Sequence, residues 1–178
     1  MKKIVIIGAN NFQMPLIIKA KELGYETHVF AWAEGAVGAA FADYFYPISI
    51  VERDRILTKC KEIKPDAVIS VASDLATLTV NYLADKLGLV GNSLECTRLS
   101  TNKYEMRKAF LANGVSVPKF IKVAGTGEEE ISKIRDFSMP IIVKPTDRSG
   151  SRSINKIESW EEAESGKLKE AIEAAIEV

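Results

Sequence analysis

The apolar positions change rhythm along the chain, and each change marks an element. KIVIIG (3–8) is an apolar run closed by Gly8, the pattern of a short strand covered on both faces of a parallel sheet. After a turn over Gly8–Phe12, Pro15 opens a helix reaching about Leu23. Leu16, Ile17, Ala20 and Leu23 share one face, and Gly24 caps it. YETHVFAW (25–32) predicts a second strand, and Arg53 to Ile63 a helix with Ile56, Leu57, Cys60 and Ile63 inward. DAVISVAS (66–73) predicts a third strand, and Leu75 to Leu87 a helix capped by Gly88. Strands alternating with helices in this way predict an α/β fold, a parallel doubly wound, Rossmann-like sheet.

Near Gly91 the rhythm shifts. Asn92 or Ser93 can cap a short helix, and Asn102 caps KYEMRKAFLANG, with Met106, Phe110 and Leu111 on its apolar side and Gly114 at its end. VSVPKFIKV (115–123) predicts a strand entered through Pro118. AGTGEEE leads into a helix holding Ile131, Ile134 and Phe137. Ile141–Val143 predicts a buried strand, and SINKIES, with Ile154 and Ile157, its antiparallel partner. The chain ends on a helix with Leu168, Ile172 and Ile176 on one face. Residues 1–96 are therefore expected to form the doubly wound domain and residues 97–178 a small α+β lobe.

Composition narrows the classes. With 178 residues, 47% of them hydrophobic, one core needs no disulfide or metal staple. The charges balance at 24 basic and 24 acidic, so no global field favours nucleic acid or an anionic membrane. Cys60 and Cys96 form no CxxC, which fits a reduced, cytoplasmic protein. The first apolar run, Ile4 to Ile7, is too short for a signal peptide or a membrane span.

In the first half, Gly8-Ala9-Asn10-Asn11-Phe12-Gln13 keeps only the first glycine of a dinucleotide fingerprint, and Glu34 stands roughly where a ribose-binding acid would. An NAD-linked Rossmann oxidoreductase is thus an alternative reading. So is a small polar substrate at the carboxyl ends of the strands, held by Asn10, Asn11 and Gln13, with Asp74 a further candidate ligand. Asp74 also suits a helix N-cap, which is the favoured reading. His28 reads as a packed or edge residue rather than a base. Trp32 and Phe12 suit either a pocket or the core. Glu128 to Glu130 suit a solvated helix start.

The second half carries the sharper signal. PIIVKPTDRSGSRS (140–153) runs from an apolar strand into a cationic, hydroxyl-rich loop, and residues 144–156 hold four cations and one acid. Small residues let backbone N–H groups form an anion nest, with Lys144 adding charge from the strand end. A solvated hairpin tip has the same composition, and both readings stay open on these residues alone.

The order of elements, TNKYEMRKAFLANGVSVPKF followed by PIIVKPTDRSGSRSINKIES, resembles the ATP-grasp ligase family. The first half is similar to the domain preceding the grasp in carbamoyl-phosphate synthetase, biotin carboxylase and phosphoribosylglycinamide synthetase-like proteins. The second half resembles the first grasp lobe. The resemblance implies that Lys103 and Lys144 contact ATP phosphates, and that Ser149, Gly150, Ser151 and Arg152 form a flap over them. Ser153 stands where the flap commonly has glycine. It implies an ATP-dependent ligase that activates a carboxylate as an acyl phosphate for attack by an amine. A non-catalytic nucleotide- or metabolite-binding module remains the alternative. ATP and a small carboxylate or amine are the expected partners, with Mg²⁺ as a cofactor whose ligands lie outside this chain. The chain is accordingly expected to be the N-terminal part of such a ligase, inactive by itself, and either self-associating or missing a C-terminal lobe. No catalytic residue is assigned.

Overall fold

β1 (Lys3–Ile7) sends alternate side chains to opposite sides of its sheet. Val5 and Ile7 join one apolar layer, Ile4 and Ile6 the other, and all four are buried. A strand that is dry on both faces needs a cover on both. α1 (Met14–Glu22) packs Ile17 and Ala20 with Ile4, Ile6 and Val29. α2 (Arg53–Ile63) and α3 (Asp74–Leu87) bring Ile56, Cys60, Ala76 and Leu83 to Val5, Ile7 and Phe30 on the other side. Each fully buried Ile contributes about 1.5–3 kcal/mol relative to exposure, so this double layer dominates the stability of the region. Burial alone pushes the Cys60 thiol up to about 12, which makes it an inert core residue.

The computed structural model describes residues 1–148 and 151–177. It divides into two compact units, Met1–Thr101 and Asn102–Val178. In the first, β2 (Glu26–Phe30), β3 (Tyr44–Tyr46) and β4 (Ala67–Ile69) join β1 in the order β3-β2-β1-β4, every pair parallel. The expected doubly wound sheet is present. The chain moves outward from β1 to β3, then crosses back to β4 on the far side of β1. That reversal opens a crevice beyond the carboxyl ends of β1 and β4, the usual ligand edge of such sheets.

β3 is absent from the sequence reading. It spans only three residues at the sheet edge and follows a 3₁₀ turn over Val37–Phe41, too short a run for a period to show. Its lead-in is tied down by Asp43, whose carboxylate pairs with Lys21 at 2.9 Å and accepts the Thr27 N–H at 2.9 Å. Leu23 is a second correction. It is the C-cap of α1, beyond the last buried turn, and is exposed. α4 (Leu94–Thr101) packs on α3 through a buried network. Ser93 Oγ caps it by accepting from Cys96 N, and Asn81 donates to Thr97 Oγ1 at 2.8 Å while accepting from Asn92 N.

The second unit holds α5 (Lys103–Ala112), α6 (Glu128–Ile134), the antiparallel pair β5 (Ile141–Val143) and β6 (Asn155–Ile157), and two C-terminal helices. These are α7 (Trp160–Glu162) and α8 (Leu168–Ile176), joined by a π-type turn kinked at Gly166. Ile134, Ile157, Leu168 and Ile172 form its core. Four expectations fail here. VSVPKFIKV forms no strand among the described residues, and Pro118 offers no N–H to a ladder. Phe110 and Leu111 are exposed, and α5 buries none of its residues. β5 is one-sided, with Ile142 55% exposed. Ile154 precedes β6, and Ile176 lies in the last turn of α8; both are exposed. Among the described residues no helix is long and apolar enough to cross a membrane.

Candidate functional site

The start of α5 and the end of β5 converge in the second unit. Asn102 fixes the first by accepting from Tyr104 N and Glu105 N, both at 3.1 Å. The backbone N–H of Lys103 then donates to Thr146 O at 2.7 Å, which staples the helix start to the loop leaving β5. The Lys103 ammonium donates to the Arg148 carbonyl. Lys144, half-buried one residue beyond β5, has its ammonium pKa pushed down by burial first, then by Arg107 and Lys103. Arg107 lies one helical turn after Lys103, and its guanidinium sits 5.9 Å from the Phe120 ring centroid. Among the described residues no carboxylate pairs with Lys144. Asp147 instead lies 3.9 Å from the Arg148 guanidinium.

Arg107 and Lys103 thus both raise the electrostatic cost of a charged Lys144, and among the described residues no carboxylate offsets it. Such a cluster is unfavourable until an anion enters, and two ammoniums with a guanidinium suit the oxygens of a polyphosphate. The sequence reading missed Arg107 and Thr146. The i,i+4 spacing of Lys103 and Arg107 was the available signal for the first, whereas the Thr146 carbonyl contact has no side-chain signature.

Of the expected flap, Ser149 and Gly150 lie outside the described residues. Ser151 and Arg152 are exposed. Ser151 (φ 56°) and Ser153 (φ 49°) both adopt the left-handed region. This conformation gives a physical reason for the glycine common at the position of Ser153, because a Cβ there costs on the order of 1 kcal/mol. Among the described residues no three His, Cys, Asp or Glu side chains cluster to hold a metal ion.

In the first unit, a crevice of about 180 Å³ opens at the strand ends, lined among others by Asn10, Gln13, Trp32, Glu34, Ser49 and Ser73. Gln13 is buried and spans the switch point. Its Nε2 donates to Val71 O at 2.7 Å and its Oε1 accepts from Asn10 N. Asn10 Oδ1 accepts from Phe12 N at 2.8 Å, and its carbonyl accepts from Gln13 N and Met14 N. The N–H groups of residues 10, 12, 13 and 14 are therefore spent inside the turn, which leaves a poor cradle for a pyrophosphate. Gly8 is also explained without a ligand. Its φ of 101° suits glycine, and an added Cβ would meet the Gln13 side chain at 3.1 Å.

The remaining candidates sort cleanly. Asn11 is exposed and Asp74 is the first residue of α3. The cap is Ser73, whose Oγ accepts from Ala76 N, so the favoured cap role of Asp74 is corrected by one residue. His28 is packed, as expected, bonded to Tyr46 and Glu26 and stacked on Tyr44. Phe12 and Trp32 are both exposed rather than core, and Trp32 lines the crevice.

A doubly wound parallel sheet followed by a hairpin lobe of this kind is an ATP-grasp ligase superfamily fold, partial relative to the full-length proteins it matches. The resemblance seen in the sequence holds at the level of fold. No protein-family model matches the chain. It is 26% identical over 171 residues to a formate-dependent phosphoribosylglycinamide formyltransferase of Prochlorococcus marinus subsp. pastoris, across 91% of this chain and 43% of that protein. The protein of the same name from Sulfurisphaera tokodaii is 27% identical over 172 residues, across 96% and 43%. Among solved structures, N5-carboxyaminoimidazole synthetase from Staphylococcus aureus complexed with ADP superposes with a TM-score of 0.78 at 18% identity, covering 98% of this chain and 45% of that one. L-amino acid ligase from Bacillus licheniformis gives 0.74 at 22% identity, covering 97% and 42%. The chain spans less than half the length of the curated relatives it matches.

Proposed function

We propose that this chain supplies the phosphate-binding side of an ATP-dependent carboxylate–amine ligase. The uncompensated cluster of Lys103, Arg107 and Lys144 carries the reading. Lys103 and Lys144 would hold the phosphates from two anchored element ends, with Ser149, Gly150, Ser151 and Arg152 as the covering loop. Mg²⁺ would accompany the nucleotide and neutralise charge on the transferred group. In the reaction a carboxylate oxygen bonds the γ-phosphorus as the bond to the bridging oxygen breaks and ADP leaves. An amine then bonds the acyl carbon, inorganic phosphate departs, and the nitrogen loses a proton.

Calorimetry with ADP–Mg²⁺ and NAD tests the binding step. ADP should bind, NAD should not, and Lys144→Ala should weaken ADP about tenfold, or roughly 1.4 kcal/mol. Arg148→Ala should cost less, because Lys103 engages the Arg148 carbonyl and the guanidinium lies near Asp147. Equal losses would move the phosphate site elsewhere, and NAD binding without ADP binding would favour the oxidoreductase alternative. Substrate-stimulated ADP release separates a ligase from a module that only binds.

A further inference from the structure

Trp32 and Glu34 follow the end of β2, and the fold gives neither a structural task. The Trp32 ring is 64% exposed. Among the described residues the Glu34 carboxylate forms no ion pair or side-chain hydrogen bond. Both line the crevice of the first unit, where Glu34 is the one charged side chain and no Lys, Arg or His contributes. Turn N–H groups that could welcome an anion are bonded to Asn10 and Gln13. Ser49 and Ser73 add hydroxyls to the lining, and Ser73 Oγ, accepting from Ala76 N, keeps its own proton to donate.

A phosphate ester entering this crevice would meet a carboxylate and no cation. A cation would meet a carboxylate and, in the same lining, an exposed indole whose ring face attracts positive charge. From this asymmetry we infer that the crevice binds a small primary-ammonium compound of amino-acid size, beside Glu34 and against Trp32, and rejects phosphate esters. The inference rests on the ligase reading only in calling that ligand a substrate. It sets the chain apart from the formate-dependent phosphoribosylglycinamide formyltransferases it is similar to, which are named for a phosphoribosyl substrate.

Trp160 is the second of two tryptophans, so Trp160→Phe leaves Trp32 as the sole indole reporter. Its fluorescence is titrated, without nucleotide, with glycinamide, with acetamide as the uncharged control and with ribose 5-phosphate. Glycinamide should give a saturable change that weakens as salt rises, and acetamide none. Glu34→Gln in the same background should raise the glycinamide Kd about tenfold. No saturable response to glycinamide, a salt-independent one, or an unchanged Kd in Glu34→Gln would overturn the inference. Tighter binding of ribose 5-phosphate would also overturn it, in favour of a sugar phosphate. Because nucleotide is left out, failure of the phosphate site in the second unit does not affect the result.

Discussion

Lys144→Met should make the nucleotide-free protein more stable and the nucleotide complex weaker. Methionine keeps an apolar stem of similar length and removes the charge. The Lys144 ammonium is held below its ordinary value of 10.5 by burial and by Arg107 and Lys103. Protonation is therefore less favourable in the folded chain than in the unfolded one. At neutral pH both states carry the proton and the folded state bears the full penalty. Between the lowered value and 10.5 the unfolded state binds a proton that the folded state does not, so wild-type stability rises with pH across that window. For a half-buried group the gain in Lys144→Met is about 0.5–1 kcal/mol at neutral pH, or about 1–4 °C in Tm for a chain of this size. It should fade toward pH 10.5. With nucleotide the sign reverses. A phosphate oxygen about 4 Å from an ammonium gains about 4 kcal/mol near a protein surface. Desolvation and screening leave about 1.4 kcal/mol, a tenfold loss in ADP affinity. Thermal melts with and without ADP–Mg²⁺ across this pH range measure both halves. A less stable nucleotide-free variant, or one that binds ADP as tightly as wild type, would refute the cation-cluster argument.

Two further outcomes follow from the first unit. The Lys21 ammonium and the Thr27 N–H hold the Asp43 carboxyl at about 2, so its contribution is complete above 3.8 and is lost as pH falls through about 2. About a third of the side chain is exposed, which limits this to about 1 kcal/mol; Asp43→Asn should flatten the acid limb of the stability curve, and an unchanged limb would remove Asp43 from that role. Gly91→Ala would place a Cβ 2.6 Å from Ala84 Cβ, where α4 is tethered to α3. A loss of about 1–3 kcal/mol in urea unfolding is expected, with part restored by adding Ala84→Gly; a neutral Gly91→Ala would show that this packing yields.

The doubly wound sheet was legible because β1 is dry on both faces, and an apolar run such as Ile4–Ile7 has few other uses. Lys144 drew notice for the opposite reason, since a cation directly after the apolar run Ile141–Val143 is unusual on sequence alone, although the strand proves one-sided with Ile142 exposed. What escaped the sequence is what periodicity does not encode. β3 is three residues long at an edge. VSVPKFIKV has strand-forming residues but pairs with no strand among the described residues. Phe110 and Leu111 follow helical spacing, yet spacing names a face and not what covers it. The Asp74 reading erred by one residue because both Ser73 and Asp74 can cap, and only the backbone shows which of them lies outside the helix.

The balanced total of 24 cations and 24 acids concealed the electrostatic organisation rather than describing it. Each unit is itself balanced, with 11 cations and 11 acids in residues 1–101 and 13 of each in residues 102–178, and the contrast lies between the two sites. The second gathers Lys103, Arg107 and Lys144 at an element junction, while the first presents Glu34 in a crevice with no cation in its lining. On this reading a polyphosphate would be repelled from the crevice by the carboxylate that would hold an ammonium, and an ammonium would be repelled from the cations that would hold phosphate. Each like-charge mismatch removes favourable energy and adds repulsion, so discrimination by sign needs no close shape match. On the proposed assignments, a neutral chain made of two neutral units sorts a phosphoryl donor from an amine-bearing ligand through charges segregated by site. Whole-chain charge arguments, which speak only to a global field, carry no information about that segregation. It becomes visible only when residues distant in sequence, such as Glu34 and Ser73 or Lys103 and Thr146, are brought to one place by the fold.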